Sequence, residues 1–516
     1  MQLNLSNFLL KNSKTTAFLL GGLAVQALPP FYHWFLLFVC LTGLLWLIHF
    51  APTRRQAFAV GYWFGFAYFA CGLAWVNNAL LVTPEQTGWL IPITFLASGA
   101  FFGLFIAIPA LLTAFNKPLI SKYLAFAGWI VVFEWIRSWL LTGFPWNLWG
   151  SCLAFNVTLL QSASVFGSYG LSLLTVLAAT APIFWLVSHT TRTALTSLSL
   201  ALVIPLCLFE YGYFRIARLE DKAVGQTKIR LVQPSIPQAI KWSPDLIRQN
   251  FQQYIDLSQK DSLKDVQMII WGETASPYPL DIDQEAAAQV QKIIPEHGFL
   301  TTGAVRYEKN NEERWQPLNS ALVINHNGLI EDFYDKIHLV PFGEYLPLRH
   351  WIPDTFRPLT NTIADFKSGN GFKRINLPSV PTFGIQICYE IIFPHQIFNP
   401  QEKPEWLINL TNDGWYGISS GPYQHLAATQ LRAAEEGLTI LRSANSGISA
   451  LINRYGKILA RLDLNQRASL DVYLPQQLQV NTLYNRFGNL IPLILALINI
   501  LAALLFNRKE RKSLAK

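Results

Sequence analysis

The chain reads as a polytopic α-helical membrane bundle of about eight spans that carries one polar α/β domain. Three observations predict this. Hydrophobic residues make up 51% of the 516 residues and charged residues only 14%, against about a quarter charged in a soluble protein. Apolar runs recur near 16–31, 33–51, 57–81, 89–115, 123–141, 160–187, 194–210 and 488–506, each close to the roughly 20 residues that cross a bilayer as a helix. Between the last two lies a polar stretch in which short apolar runs alternate with helical patterns.

The first run follows Lys11 and Lys14 and could pass for a signal peptide. Ala27-Leu-Pro-Pro30 is a poor cleavage site and a second run follows at once, so the reading is an uncleaved helix. Residues 1–210 are expected to form a bundle of seven helices, 211–487 the polar domain, and 488–516 a final helix with a basic tail. Lysines and arginines in short loops mark the cytoplasmic side. Arg54 and Arg55, Lys117 and Lys122, Arg192 and the tail Arg508–Lys512 fall on one side if both termini are cytoplasmic, while Asn77–Gly88 has no basic residue. The polar domain is then extracytoplasmic. The formal charge of +8 reports this sidedness; no basic stripe interleaved with aromatics points to nucleic acid. Glu134 and Arg137 lie three apart on one helical face and read as a structural pair near the outer interface.

Within the polar domain, strand-like runs are Lys228–Gln233, Val266–Trp271, Phe299–Val305, Ser320–Asn325, Leu329–Asp335, Thr382–Cys388, Trp406–Thr411, Gly447–Asn453 and Leu470–Leu474. Helical patterns cover Asp245–Lys260, Asp283–Glu296 and Tyr423–Glu436. Alternating strands and helices argue for an α/β domain, and adjacent strands add antiparallel pairing. A mixed-sheet sandwich between helical layers fits best. Leu346–Arg374, with Trp351, Phe356 and Phe366, has no clear period and is either a lid or satellite core.

Of five cysteines, Cys40, Cys71, Cys152 and Cys207 lie in or beside the spans, so Cys388 has no disulfide partner in its own domain. A lone thiol is either a small core filler or a nucleophile. In an oxidising compartment, chemistry explains it better than packing. Thiolate attack on a carbonyl needs a base and a positive field. Glu273, at the end of Asp265–Glu273, supplies the base in this reading, and Lys336 the charge that stabilises an oxyanion with a backbone N–H at or after Cys388. Glu344 and Glu390 are candidates for holding the lysine charged and oriented. Taken singly, each of these could be an ordinary surface or turn residue. His338, His395 and His425 make no metal-ligand spacing.

The order Trp271-Gly-Glu273, Lys336-Ile-His-Leu-Val-Pro-Phe-Gly-Glu344 and Cys388-Tyr-Glu390 resembles the Glu-Lys-Cys signature of the nitrilase (carbon–nitrogen hydrolase) superfamily. Further segments resemble one family within it, the apolipoprotein N-acyltransferases: Val232-Gln-Pro-Ser-Ile-Pro-Gln-Ala-Ile-Lys-Trp242, Leu410-Thr-Asn-Asp-Gly-Trp-Tyr-Gly417, Gly421-Pro-Tyr-Gln-His425, Arg442-Ser-Ala-Asn-Ser-Gly447, Glu134-Trp-Ile-Arg137 and Gly143-Phe-Pro-Trp146. Gly272 and Thr274 beside the glutamate, and Tyr416 where Phe is expected, are minor departures.

The resemblance implies a nitrilase-like αββα domain and a ping-pong acyl transfer in the bacterial inner membrane. Cys388 would take the sn-1 acyl chain of a phospholipid, phosphatidylethanolamine being the expected donor, as a thioester. The N-terminal amine of a diacylglyceryl-cysteine lipoprotein would then accept it, completing lipoprotein maturation. Catalytic residues would be Glu273, Lys336 and Cys388, supported by Glu344, Glu390 and Tyr389. Trp242, Val340, Phe342, Trp415 and Tyr416 would line the acyl chain or headgroup, with Val340–Phe342 as a gate. Core packing is an equal reading for Tyr389 and Trp415. No cofactor, metal or nucleic acid is called for, membrane lipid is the medium, and the chain is expected to act as a monomer. A tethered amidohydrolase would use the same three residues and release the acyl group to water. A transporter with a pseudo-enzyme domain would need ionisable residues deep in several spans, which are lacking apart from Glu134 and Arg137.

Overall fold

Every apolar run folds as helix, because main-chain polar groups in lipid must be satisfied internally. In the computed structural model, which describes residues 2–219, 224–309, 313–351, 357–360 and 364–514, these helices are Ser13–Ala24, Leu36–His49, Arg54–Gly72, Ile91–Thr113, Leu119–Ile136, Ala163–Thr180, Thr191–Leu219 and Leu490–Leu514. Among the described residues, five stretches are long and apolar enough to cross a membrane, or six if Arg54–Gly72 and Ala74–Leu81, bent by 42°, count as one span. Leu36–His49 and Ser13–Ala24 are shorter, at 14 and 12 residues. Thr191–Leu219 runs beyond the compositional break at Glu210, and Tyr211 Oη lies 3.0 Å from Ser164 Oγ. Tertiary partners thus extend a helix whose sequence has already turned polar.

Two compact units divide the chain, one comprising Met1–Asn77, Thr87–Leu219 and Thr482–Lys516, the other Asn78–Gln86 and Glu220–Asn481. Small residues draw the helices of the first together. A Cβ on Gly21 would fall 2.0 Å from the Phe64 carbonyl oxygen, and one on Gly65 2.8 Å from that of Gly103. Glu134 and Arg137 both hold main chain: Arg137 Nη1 donates to Phe144 O at 2.8 Å and Trp146 O at 2.6 Å, and Glu134 Oε1 accepts from Trp149 N at 2.9 Å. Their job is to pin the segment 143–149.

The second unit holds twelve strands among its described residues: β1 Val224–Gln233, β2 Val266–Trp271, β3 Phe299–Lys309, β4 Trp315–Asn325, β5 Ile330–Asp335, β6 Arg374–Leu377, β7 Val380–Ile387, β8 Trp406–Thr411, β9 Thr439–Ala444, β10 Ser449–Ile452, β11 Ile458–Leu462 and β12 Ala468–Pro475. They form two six-stranded sheets, ordered β12-β1-β2-β3-β4-β5 and β11-β10-β9-β8-β7-β6. The centres, β1-β2-β3 and β7-β8-β9, are parallel and the edges antiparallel. One core joins the inner faces, Leu231, Met268 and Val323 from the first sheet meeting Phe383, Ile385, Ile408 and Leu441 from the second. A second core packs the outer face of the first sheet, through Trp271 and Leu300, on Phe251 and Tyr254 of the helix Ile247–Gln259. Each such aliphatic or aromatic side chain contributes about 1.5–3 kcal/mol on burial. The αββα sandwich places the carboxyl ends of β2, β7 and β8 at one site, where open parallel sheets bind ligands. Of the loop Leu346–Arg374, Phe356 lies outside the described residues; Phe366 is buried, with its N–H on Glu344 O at 2.9 Å, whereas Trp351 is exposed.

Candidate active site

Glu273 stands two residues beyond β2, Lys336 directly after β5 and Cys388 directly after β7. The turn carrying Glu273 fits only because residue 303 is glycine: a Cβ there would fall 2.3 Å from Thr274 N and 2.6 Å from Gly272 O. Cys388 has φ +51° and opens the 3₁₀ turn Cys388–Ile392, a left-handed conformation that side chains other than glycine adopt at a cost. All three side chains are buried, with residue exposures of 6%, 1% and 5%.

Lys336 Nζ donates to Glu344 Oε1 at 2.9 Å and to Glu273 Oε1 at 3.4 Å. Asn319 on β4 donates to the same two oxygens, at 2.7 Å for Glu344 and 2.9 Å for Glu273. Glu344 Oε2 accepts from Val340 N at 2.7 Å. Glu273 Oε2 is buried and has no hydrogen-bond partner among the described residues, which leaves one carboxylate oxygen for a mobile proton. Burial depresses the Lys336 ammonium, but Glu344 and Glu273 outweigh it and hold the group well above its usual value. Burial, then the Glu273 charge, pushes the Cys388 thiol up to about 12 against the pull of Lys336. At rest the sulfur is a thiol, and attack requires a base at the moment of reaction.

The sequence reading assigned Glu344 and Glu390 jointly to the lysine; of the two, Glu344 bonds its amine. Glu390 instead takes main-chain donors, Oε1 accepting from Ile337 N at 2.7 Å and His338 N at 3.1 Å, and Oε2 from Ile387 N at 2.7 Å. Tyr334 Oη donates to it as well, at 2.9 Å. The carboxylate ties the main chain after Lys336 to the main chain before Cys388, and a side chain spaced two from a cysteine gave no hint of that reach. Burial pushes Glu390 up to about 7, with the N–H of Ile387 as the chief opposing cause.

Tyr416 Oη lies 4.0 Å from Cys388 Sγ. Tyr389 is buried, edge-on to Phe393 at 5.1 Å between centroids, which is a packing role. Trp415 is half-buried, and Trp242 and Phe342 are exposed, Phe342 at 60%. Val340 and Phe342 share the turn that Glu344 closes.

Two polar residues of the site escaped the sequence reading. Asn319 sits in an otherwise ordinary strand pattern, Leu318-Asn-Ser-Ala-Leu322, with no local sign that its amide faces two carboxylates. Lys241 lay unread inside a quoted motif: its buried Nζ donates to Glu273 O at 3.1 Å and Thr274 Oγ1 at 2.9 Å. Burial lowers it to about 8, against the charges of Glu273 and Cys388. A lysine between Ile240 and Trp242 was the available signal. Asn445, which donates to Ile236 O and Asn412 Oδ1 at 3.0 Å each, ties this segment to the site.

Residues 20–181 match the model of the apolipoprotein N-acyltransferase N-terminal domain, and residues 228–479 that of the carbon-nitrogen hydrolases. An apolipoprotein N-acyltransferase of Rhodopseudomonas palustris is 36% identical over 508 residues, 95% of either chain. That of Rickettsia typhi is 35% identical over 507 residues, 96% of this chain and 99% of its own. The chain belongs to the apolipoprotein N-acyltransferase family. An amidase of the nitrilase superfamily from Nesterenkonia AN1 aligns with 50% of this chain and 94% of its own at 16% identity and a TM-score of 0.36, a likeness too slight to carry more. Membership makes the chain an acyltransferase of the membrane, with apolar helices and a nitrilase-like α/β domain in one polypeptide.

Proposed function

We propose that the chain moves one acyl chain from a phospholipid, through a thioester on Cys388, to the N-terminal amine of a diacylated lipoprotein. The observation that carries this is the buried Lys336–Glu273 pair, with one Glu273 oxygen unengaged among the described residues and with Cys388, itself buried, near enough for both charges to act on its thiol. Glu273 takes the Sγ proton as sulfur attacks the sn-1 ester carbonyl. Lys336 and a backbone N–H at or after Cys388 stabilise the oxyanion. The glycerol oxygen leaves with the proton from Glu273 as a lysophospholipid. The lipoprotein amine then attacks the thioester and gives its proton to Glu273, and the amide forms as Cys388 sulfur departs and is reprotonated.

Phosphatidylethanolamine is the proposed donor, and Trp242, Val340, Phe342, Trp415 and Tyr416 the lining of the acyl and headgroup path. Both substrates are lipid-anchored, so a tethered domain meets them at high effective concentration. The pattern of basic loops supports an inner-membrane setting with cytoplasmic termini and a periplasmic catalytic domain.

The test is intact mass of the purified full chain after incubation with phosphatidylethanolamine, beside Cys388→Ser, with a diacylated lipopeptide added afterwards. A hydroxylamine-labile gain of one acyl chain, absent in the variant and discharged onto the lipopeptide amine, is expected. Decay to free fatty acid regardless of amine would make the chain a hydrolase. No gain at all would return Cys388 to the core.

A further inference from the structure

Three quoted motifs carry side chains that take no part in the transfers above: Asp413 beyond β8, His425 in the helix Gly421–Glu436 and Arg442 in β9. All three are buried, and they meet. Arg442 Nη2 donates to Asp413 Oδ2 at 2.7 Å. His425 Nδ1 lies 2.9 Å from Asp413 Oδ1 and 3.0 Å from Arg442 Nη2. The other ring nitrogen, Nε2, is 3.0 Å from the carbonyl oxygen of Cys388 itself. A carbonyl oxygen only accepts, so Nε2 carries a hydrogen and donates it.

Burying an ion pair is expensive, and an apolar trio of similar volume would fill the space at least as well. Besides the Arg442 donors to Ile448 O and Asn409 Oδ1, the trio supplies what apolar residues could not, a donor directed at the carbonyl of Cys388. The unprotonated Nδ1 accepts from Arg442 Nη2, which Asp413 holds in place through Oδ2, and the far nitrogen is committed to the nucleophile's main chain. Cys388 needs such a hold, being kept at φ +51°. A trans peptide is planar, with its C=O and N–H on opposite edges. Fixing Cys388 O therefore fixes the direction of the Tyr389 N–H on the other edge of the same amide, and a hydrogen bond accepted at the carbonyl strengthens that N–H as a donor. Burial and the neighbouring Arg442 lower the His425 pKa, so the ring stays neutral with its hydrogen on Nε2.

We propose that His425, seated on Asp413 and Arg442, is a positioning residue for acyl transfer: it fixes the Cys388–Tyr389 peptide so that its N–H edge meets the oxyanion. This rests on the thioester reading. In that reading Lys336 holds the oxyanion from one side, and the peptide aimed by His425 holds it from the other.

The test compares two reactions of the same sulfur in the full-length, detergent-solubilised chain. Thioester formation from phosphatidylethanolamine passes through an oxyanion; alkylation of Cys388 by iodoacetamide at pH 9 does not. His425→Leu removes the donor, whereas His425→Gln keeps an N–H at about the reach of Nε2. His425→Leu is expected to slow acylation by about 10²-fold, the effect of losing one oxyanion donor, while alkylation stays within about threefold, the scatter of an intact site. His425→Gln is expected to recover most of the acylation rate. Equal loss of both rates in His425→Leu, loss of neither, or failure of His425→Gln to outperform it would overturn the positioning role. A wild type that alkylates but forms no thioester would overturn the underlying reading and this role with it, and is told apart because the defect precedes any substitution.

Discussion

Lys336 is bonded more closely to Glu344, at 2.9 Å, than to Glu273, at 3.4 Å. The lysine charge is therefore balanced chiefly by Glu344, which leaves Glu273 the less engaged of the two carboxylates, with Oε2 unpartnered among the described residues. Replacing Glu344→Gln removes that balance and draws the ammonium onto Glu273. Thioester formation should fall by about 10²–10³-fold, in the range of a lost general base. Quenched-flow intact mass with phosphatidylethanolamine checks this; a variant acylating at the wild-type rate would show that Glu344 does not set the base.

The raised thiol gives a second expectation. An ordinary cysteine reacts with iodoacetamide at a rate that levels off above about pH 8.5. Cys388, pushed up to about 12, is protonated throughout that range. Its alkylation should climb about tenfold per pH unit from 7 to 10 without levelling, since the thiolate fraction does so below the pKa. A plateau near neutrality, read by mass or by loss of activity, would mean a standing thiolate.

Glu390 accepts from three main-chain N–H groups and a phenol. In Glu390→Gln one of the two ends turns an NH₂ toward N–H donors, so stability should fall by about 1–3 kcal/mol and acylation with it. The wild type should also show a pH dependence that the variant lacks. With its value raised from 4.5 to about 7, Glu390 in the folded chain binds its proton more tightly than in the unfolded one. Its stabilising contribution is complete below about 4.5 and is lost as pH rises through 7, a change of about 3 kcal/mol. Thermal midpoints in detergent between pH 4.5 and 7.5 measure both effects; parallel profiles for the two proteins would contradict this.

In the bundle, Gly21 and Gly22 are adjacent but unlike. A Cβ on Gly21 would lie 2.0 Å from Phe64 O, while nothing lies within 4 Å of one on Gly22. Gly21→Ala should cost about 1–3 kcal/mol as overpacking and lower the yield of folded protein in detergent, whereas Gly22→Ala should be neutral. Equal yields would show that the helices Ser13–Ala24 and Arg54–Gly72 can part without loss.

Much of the candidate site was legible because its residues sit at strand ends, where a run of apolar residues stops on a polar or ionisable group. Glu273 and Cys388 are of this kind. The apolar helices were legible for the same compositional reason, although Leu36–His49 is shorter than its run suggested. Strand β9 was missed because it is central yet polar: Thr439, Arg442 and Ser443 are fully buried, with Arg442 paired to Asp413, so no apolar pattern marks it. Asn319, Lys241 and the grip of Glu390 were hidden for another reason. Each acts on a partner remote in the chain: Asn319 and Lys241 reach groups that strands of the first sheet bring beside them, and Glu390 reaches across from one sheet to the other. Neither kind of contact leaves a trace in local spacing.

The grip of Glu390 on both Ile337–His338 and Ile387 has a mechanical consequence. The main chain leading to the nucleophile and the main chain leaving the electrophile are riveted to one carboxylate, so neither swings aside without dragging the other. In the proposed transfer, admission of a lipid falls to segments outside that rivet, such as the turn presenting the exposed Phe342. On the proposed reading the chain separates an anvil that keeps its shape through each turnover from a door that need carry none of the reacting atoms.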